Sequence, residues 1–153
     1  MKKIVISPYS RKLRNGKKNP KDYPYWNELV FELRKKHFFV VQIGVSGEDL
    51  IQGVDEVQFD KTYKEIEELL KGCYTFISVD NLLPHLAHAI KKSGIVIFAR
   101  SNPKIFGYGE NANFLKDTKY LRNDQFGTWE ECDYIEESFI SPNCILGIID
   151  SIK

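Results

Sequence analysis

Short β-branched runs that alternate with amphipathic helical stretches narrow the folds open to this chain more than any other feature. Lys3-Ile4-Val5-Ile6-Ser7 opens the series, and runs at 38–43, 54–59, 73–79 and 95–99 follow it. The first reads as a buried strand, the stretch 54–59 can form a short third, and the others read as strands, with Gly, Pro or polar residues between the runs. Helix signals fall between them. Asp22 stands where an N-cap would, Pro24 lies in the first turn, and Trp26, Leu29, Val30 and Leu33 recur at helical spacing before the basic residues 34–36. Thr62-Tyr63-Lys64-Glu65 has capping-box spacing ahead of Ile66, Leu69 and Leu70, and Gly72 ends that helix. Asp80 or Asn81 is positioned to cap a third helix over 83–92.

The order β-α-β-β-α-β-α-β predicts an α/β fold, a Rossmann-like domain with a mostly parallel sheet, right-handed crossovers and strand order 3-2-1-4-5. In that order the sheet reverses between strands one and four, and ligands bind outside the carboxyl ends of the strands at this switch point. Residues 8–21 and 80–85 belong there. From Ser101 the pattern gives a Gly- and Asn-rich loop, and Ser141-Pro142 starts a last helix through Ile145, Ile148, Ile149 and Ile152. No internal repeat is visible.

A length of 153 residues suits one domain, residues 1–153, and 42% hydrophobic with 28% charged residues argues against disorder. No apolar run reaches the roughly 20 residues that span a bilayer, and Met1-Lys2-Lys3 leads into a strand rather than a signal peptide, so a cytoplasmic location is expected. Cys73, Cys132 and Cys144 form no CxxC pair and are expected as buried thiols. His85 and His88 lie three apart without a third ligand, and HExxH is absent, so no metal is expected. GxGxxG, GxxxxGK[ST] and GxSxG are absent too, and no cofactor is expected.

Charge is distributed unevenly. Residues 1–36 carry 11 Lys/Arg against 3 Asp/Glu, whereas residues 37–153 carry 11 against 18. Loop 8–22 holds Arg11, Lys12, Arg14, Lys17, Lys18 and Lys21, a field that attracts phosphate, nucleic acid or an acidic partner, or simply a solvated basic loop. Lys21 is placed just ahead of a helix start, where free N–H groups favour an anion. Asp80 to His85 joins a strand to a helix in the same geometry, with capping and packing as the alternative roles of Asp80 and His85. Glu48 follows the second strand, where an acid commonly accepts hydrogen bonds from ribose hydroxyls; the alternative is that Glu48-Asp49 opens a helical turn.

Three segments together resemble the C-terminal half of glycosyltransferase family 9, the ADP-heptose:lipopolysaccharide heptosyltransferases. Pro8-Tyr9-Ser10 with Lys21-Asp22-Tyr23-Pro24-Tyr25-Trp26 is similar to the family's proline/serine loop and K-x-W-P stretch. Ile43-Gly44 with Glu48 forms the second segment. The third, Phe76-Ile77-Ser78-Val79-Asp80 through His85-Leu86-Ala87-His88-Ala89, is similar to F-I-G-x-D-S-G-P-x-H-L-A-A-A. Asn81-Leu82-Leu83-Pro84 stands where the family has S-G-P-x, so a leucine replaces the glycine that lets a phosphate approach the backbone, and His88 replaces a small alanine.

The resemblance implies the donor-binding half of a GT-B glycosyltransferase. It implies an ADP-type nucleotide-sugar as ligand, Lys21 on a phosphate, Glu48 on the ribose, and Asp80 with His85 on the diphosphate or sugar side; Ser10 and Asn81 complete the expected donor-binding set. In the family the other half carries the acceptor and the catalytic base, so a partner chain or a homodimer is expected and no catalytic residue is named. Two alternatives stand beside this: a non-catalytic nucleotide or nucleotide-sugar module, and a nucleic-acid-binding protein using loop 8–22 with Tyr9, Tyr23, Tyr25 and Trp26. Nucleic acid is the less expected partner.

Overall fold

A computed structural model describes residues 1–152. Its centre is one sheet of six strands, all parallel, in the order β3-β2-β1-β4-β5-β6. The strands are β1 (Lys3–Ser7), β2 (Phe39–Gly44), β3 (Glu56–Phe59), β4 (Thr75–Val79), β5 (Ile95–Phe98) and β6 (Ala112–Leu115). The helices are α1 (Trp26–Lys35), α2 (Tyr63–Gly72), α3 (Leu83–Ala89), α4 (Pro103–Phe106) and α5 (Pro142–Leu146).

The central strands β1, β2, β4 and β5 are mostly apolar because both faces of the sheet are covered, and their polar members Ser7, Gln42, Thr75 and Ser78 are buried with the rest. Ile4, Ile6, Val40, Ile77, Val79, Ile95 and Ile97 face α1 and the C-terminal residues Phe139, Ile145 and Ile149. Their neighbours Val5, Val41, Ile43, Phe76, Val96 and Phe98 point the other way, against Leu70 of α2 and Leu83 and Ala87 of α3. On α1 the stripe Trp26, Leu29, Val30 and Leu33 is fully buried. The capping box of α2 forms as read, with the Glu65 N–H donating to Thr62 Oγ1 and the Thr62 N–H to Glu65 Oε1, both at 3.1 Å.

Several expectations are corrected. The stretch after Ser101 is not all loop: β6 adds to the free edge of β5, pairing Ile95 with Ala112 and Phe98 with Leu115, and α4 precedes it behind an Asn102 cap. The α1 helix starts at Trp26 rather than after Asp22, because the Asp22 carboxylate accepts the Ser10 N–H at 2.9 Å instead of capping. Helix α3 stops at Ala89, since Lys91 takes a positive φ of 60° and the Lys92 N–H turns back to the Ala87 carbonyl. The last helix breaks after Leu146 and resumes only as a 3-10 turn, Ile149–Ser151. Of the cysteines only Cys73 is buried; Cys132 is half-buried and Cys144 exposed. No helix among the described residues is long and apolar enough to cross a membrane.

Candidate functional site

The sheet reverses direction of winding between β1 and β4. From β1 the chain leaves toward the α1 face, and from β4 toward the α3 face, which opens a crevice at their carboxyl ends. Loop 8–22 folds over this crevice by bonding to itself. Asn19, buried, donates through Nδ2 to the Arg11 carbonyl at 2.9 Å and accepts the Lys21 N–H at 3.0 Å. Leu13 is buried beneath it, and Trp26 Nε1 holds the Pro8 carbonyl at 3.2 Å. Lys21 is thereby carried to the switch point rather than to the start of α1, which lies further on at a buried Trp26.

There the Lys21 ammonium sits 3.4 Å from Asp80 Oδ2, with both side chains largely buried at 19% and 12% exposure. The same carboxylate oxygen accepts the Ser101 hydroxyl at 3.0 Å, and Ser10 Oγ donates to the Asp80 carbonyl at 3.1 Å. Neither Asp80 nor Asn81 occupies the N-cap of α3, which is Leu82. Asn81 instead ties the two loops together: its Nδ2 donates to Ser7 and to the Tyr9 carbonyl, while its Oδ1 accepts the Leu83 N–H at 3.1 Å. Leu82 is left half-exposed on the crevice and Leu83 enters the core.

A cleft of about 610 Å³ runs from this cluster toward β2, past Val45, Tyr63, Ile66 and Leu86. Glu48 lines it, but its carboxylate is turned back to accept the Val45 N–H at 2.7 Å, and burial pushes its pKa up. It occupies the place a side chain at position 44 would need, so a larger residue there would turn this flexible carboxylate away from Val45. No helix begins at Glu48-Asp49: the Glu48 N–H closes a turn on the Val45 carbonyl at 3.2 Å, and Asp49 follows in irregular chain. Asp22, beneath loop 8–22, is raised to about 6 chiefly by burial, with the Ser10 N–H and Lys18 opposing.

On the other side of Lys21 lies a smaller cleft of about 380 Å³, where His85 is found with Phe106, Gln125 and Phe126. His85 Nδ1 is 2.6 Å from the Tyr108 hydroxyl, and His88 stacks on Tyr108 at 3.9 Å between centroids while contacting Glu110. The two clefts share a wall: Lys21, Asp80, Asn81, Leu82 and Trp129. Ser10, Lys21, Asp80 and Asn81 are thus brought together, with Glu48 and His85 on opposite flanks. Trp129 and Arg122 are not legible in the sequence, because nothing periodic marks residues 116–141, and Ser101, just past β5, gives no sign of its bond to Asp80. Among the described residues no group of His, Cys, Asp or Glu could hold a metal ion.

The basic loop finds much of its counter-charge within the chain. Arg11 pairs with Glu130 at 3.0 Å, Asn15 Nδ2 donates to the Glu130 carbonyl at 3.2 Å, and Lys18 lies over the Tyr134 ring. Tyr23 and Trp26 are buried and so offer no ring for stacking bases, which leaves the partly buried Tyr9 and Tyr25 of the four rings considered for nucleic-acid binding. A larger groove, about 870 Å³, lies away from the switch point between Phe31, His37 and Pro142; Arg34 and Asp55 on its wall are paired with each other at 3.1 Å.

An all-parallel sheet with its polar cluster at the switch point places the chain among Rossmann-like α/β proteins of the kind used by GT-B glycosyltransferases. The sequence profile of glycosyltransferase family 9 (heptosyltransferase) matches residues 2–125, and the chain belongs to that family. Among solved structures it is similar to ADP-heptose LPS heptosyltransferase II of E. coli, with TM-score 0.69 and 15% identity over 99% of this chain and 46% of that one. It is likewise similar to E. coli heptosyltransferase WaaC with ADP, with TM-score 0.69 and 17% identity over 98% and 44%. Dodecameric heptosyltransferase TibC of enterotoxigenic E. coli, in complex with ADP-D-β-D-heptose, gives TM-score 0.74 and 16% identity over 99% and 45%. The chain therefore spans less than half the length of each. No curated protein sequence matches it.

Proposed function

We propose that this chain is the donor-binding part of a glycosyltransferase and holds a nucleoside-diphosphate sugar, of ADP type, across the β1–β4 crevice. The observation that carries this is the position of Lys21: a folded loop delivers a buried ammonium to the switch point, at the junction of two clefts. Membership of the heptosyltransferase family, and the ADP and ADP-heptose named for two similar structures, support the choice of ligand. In this reading the base lies in the apolar cleft beside Tyr63 and Leu86, and Glu48 meets the ribose on leaving Val45. Lys21 and Ser10 hold the diphosphate, and Asp80 and His85 face the sugar. Asn81 contributes by locking the two loops.

The Leu83 N–H is already bonded to Asn81, and no glycine opens the turn, so phosphate recognition falls on side chains rather than on helix N–H groups. Sugar transfer further needs a base within hydrogen-bond reach of the acceptor hydroxyl. Asp80 is engaged by Lys21 and Ser101 and is not that base; in this reading a further domain, a partner chain or a second copy supplies the acceptor side. Titration calorimetry with ADP, UDP, GDP and an ADP-sugar tests the reading. Saturable ADP-type binding, weakened about tenfold or more in Lys21→Ala and Asp80→Ala, supports it. Failure of the intact chain to bind any of them overturns it, and binding without turnover in the presence of acceptor and partner would identify a non-catalytic module.

A further inference from the structure

The indole of Trp129 carries two cations. Lys21 Nζ lies 4.8 Å from its centroid, and the Arg122 guanidinium carbon only 3.4 Å. Arg122 is itself fixed: Nη1 donates to the Gly127 carbonyl at 2.9 Å and the Thr128 carbonyl at 3.3 Å, and Nη2 to the Gln125 carbonyl at 3.0 Å. One guanidinium therefore both staples the turn that leads into Trp129 and stacks on the ring. Trp129 lies beyond residue 125, where the family match ends, and it walls both clefts.

Lysine is flexible, and beside Asp80 alone its ammonium has one strong attraction, the carboxylate at 3.4 Å. An aromatic face adds a second attraction without an acceptor atom. Cation–π attraction acts on charge rather than along an N–H bond, so it holds the ammonium while leaving its donors free for another oxygen. Resting on the reading above, we propose that Trp129 is a positioning residue for Lys21. It keeps the ammonium at the junction of the two clefts, where the phosphates of a nucleoside diphosphate would pass, and Arg122 in turn fixes Trp129.

The test is calorimetry on the full chain with ADP and adenosine, using Trp129→Ala, Trp129→Phe, Lys21→Ala and the double variant Lys21→Ala/Trp129→Ala. Trp129→Ala is expected to weaken ADP about tenfold while changing adenosine by less than about twofold, and Trp129→Phe to restore most of the loss. If the ring acts through Lys21, Trp129→Ala adds nothing in the Lys21→Ala background. Equal losses for ADP and adenosine, full additivity in the double variant, or unchanged ADP affinity in Trp129→Ala would each overturn the proposal. Loss of ADP in Lys21→Ala with unchanged affinity in Trp129→Ala removes the positioning role alone. Absence of ADP binding in the intact chain removes the donor-site reading and this inference with it.

Discussion

The first hundred residues and the last fifty are held together by different forces. Strands β1, β2, β4 and β5 bury all their side chains but the partly exposed Lys3 and Phe39, and their helices dock on them through apolar stripes. After Ser101 the elements are four or five residues long or single 3-10 turns, and side-chain bonds to main-chain carbonyls do much of the holding. Tyr23 reaches the Ile140 carbonyl, Tyr74 the carbonyls of Ile149 and Ile152, and Arg122 those of residues 125, 127 and 128. The candidate site draws on both. Its floor, from Ser7 to Asn81, is built on the sheet, whereas the Trp129 wall stands on the softer part, where local opening is expected at lower free energy.

That contrast can be broken or sharpened by substitution. The largest effect is expected at Phe76, fully buried beneath α2 and α3: Phe76→Ala should cost about 3–5 kcal/mol, read from urea unfolding. A loss below ~1 kcal/mol would mean that the first hundred residues are no more tightly packed than the last fifty.

Next comes Asp22, on the boundary between the two. Its pKa is raised in the fold to about 6, so the folded chain binds a proton more readily than the unfolded one. Stability from this group is full below the ordinary carboxylate pKa and is lost as pH rises through about 6. Melting of the native chain between pH 4 and 6 should show a decline of about 2 kcal/mol from this source. Asp22→Asn, which can still accept the Ser10 N–H, should flatten it; an unchanged pH profile would refute the assignment.

Tyr74→Phe removes the hydroxyl that holds the C-terminal turn and should cost about 1 kcal/mol. Limited proteolysis should then cut the C-terminal segment first while the sheet stays protected. The smallest effect belongs to the exposed Arg11–Glu130 pair: Glu130→Gln should change stability by less than about 0.5 kcal/mol in a thermal melt. A loss comparable to that of Tyr74→Phe would show that the basic loop, rather than main-chain bonding, anchors residues 126–137.

Legibility in the sequence follows the same division. β-branched runs and the Thr62–Glu65 box announce β1, β2, β4, β5 and α2, because burial on two faces and a local cap write themselves into consecutive residues, whereas β3 is an edge strand with Glu56 and Val57 exposed. Ala112-Asn113-Phe114-Leu115 carries no such pattern, and it becomes a strand only because β5 offers an edge. Asp22 resembles a cap by sequence but is used across the loop at Ser10, a contact that spacing does not reveal. Ser10, Lys21, Asp80 and Asn81 could be gathered at one place because topology alone brings the ends of β1 and β4 together. Trp129 and Arg122 could not, since they pair with each other inside an aperiodic segment and nothing in the spacing shows that the ring meets Lys21 of loop 8–22.

The central position of β1 bears on the order in which the molecule assembles. It precedes the other strands of this sheet along the chain, yet one of its two neighbours, β4, emerges only after β2, β3 and α2. Parallel pairing of this kind closes long loops before it gains contacts, which slows folding. Lys21 therefore exists in the growing chain well before Asp80, Ser101 and Trp129 surround it. A ribosome-bound fragment ending before Asp80 would carry the basic loop without Asp80 and Glu130, the carboxylates that pair with Lys21 and Arg11, exposed to solvent and to proteases. Closure of the Lys21–Asp80 pair thus marks the moment at which the two sides of the sheet have joined.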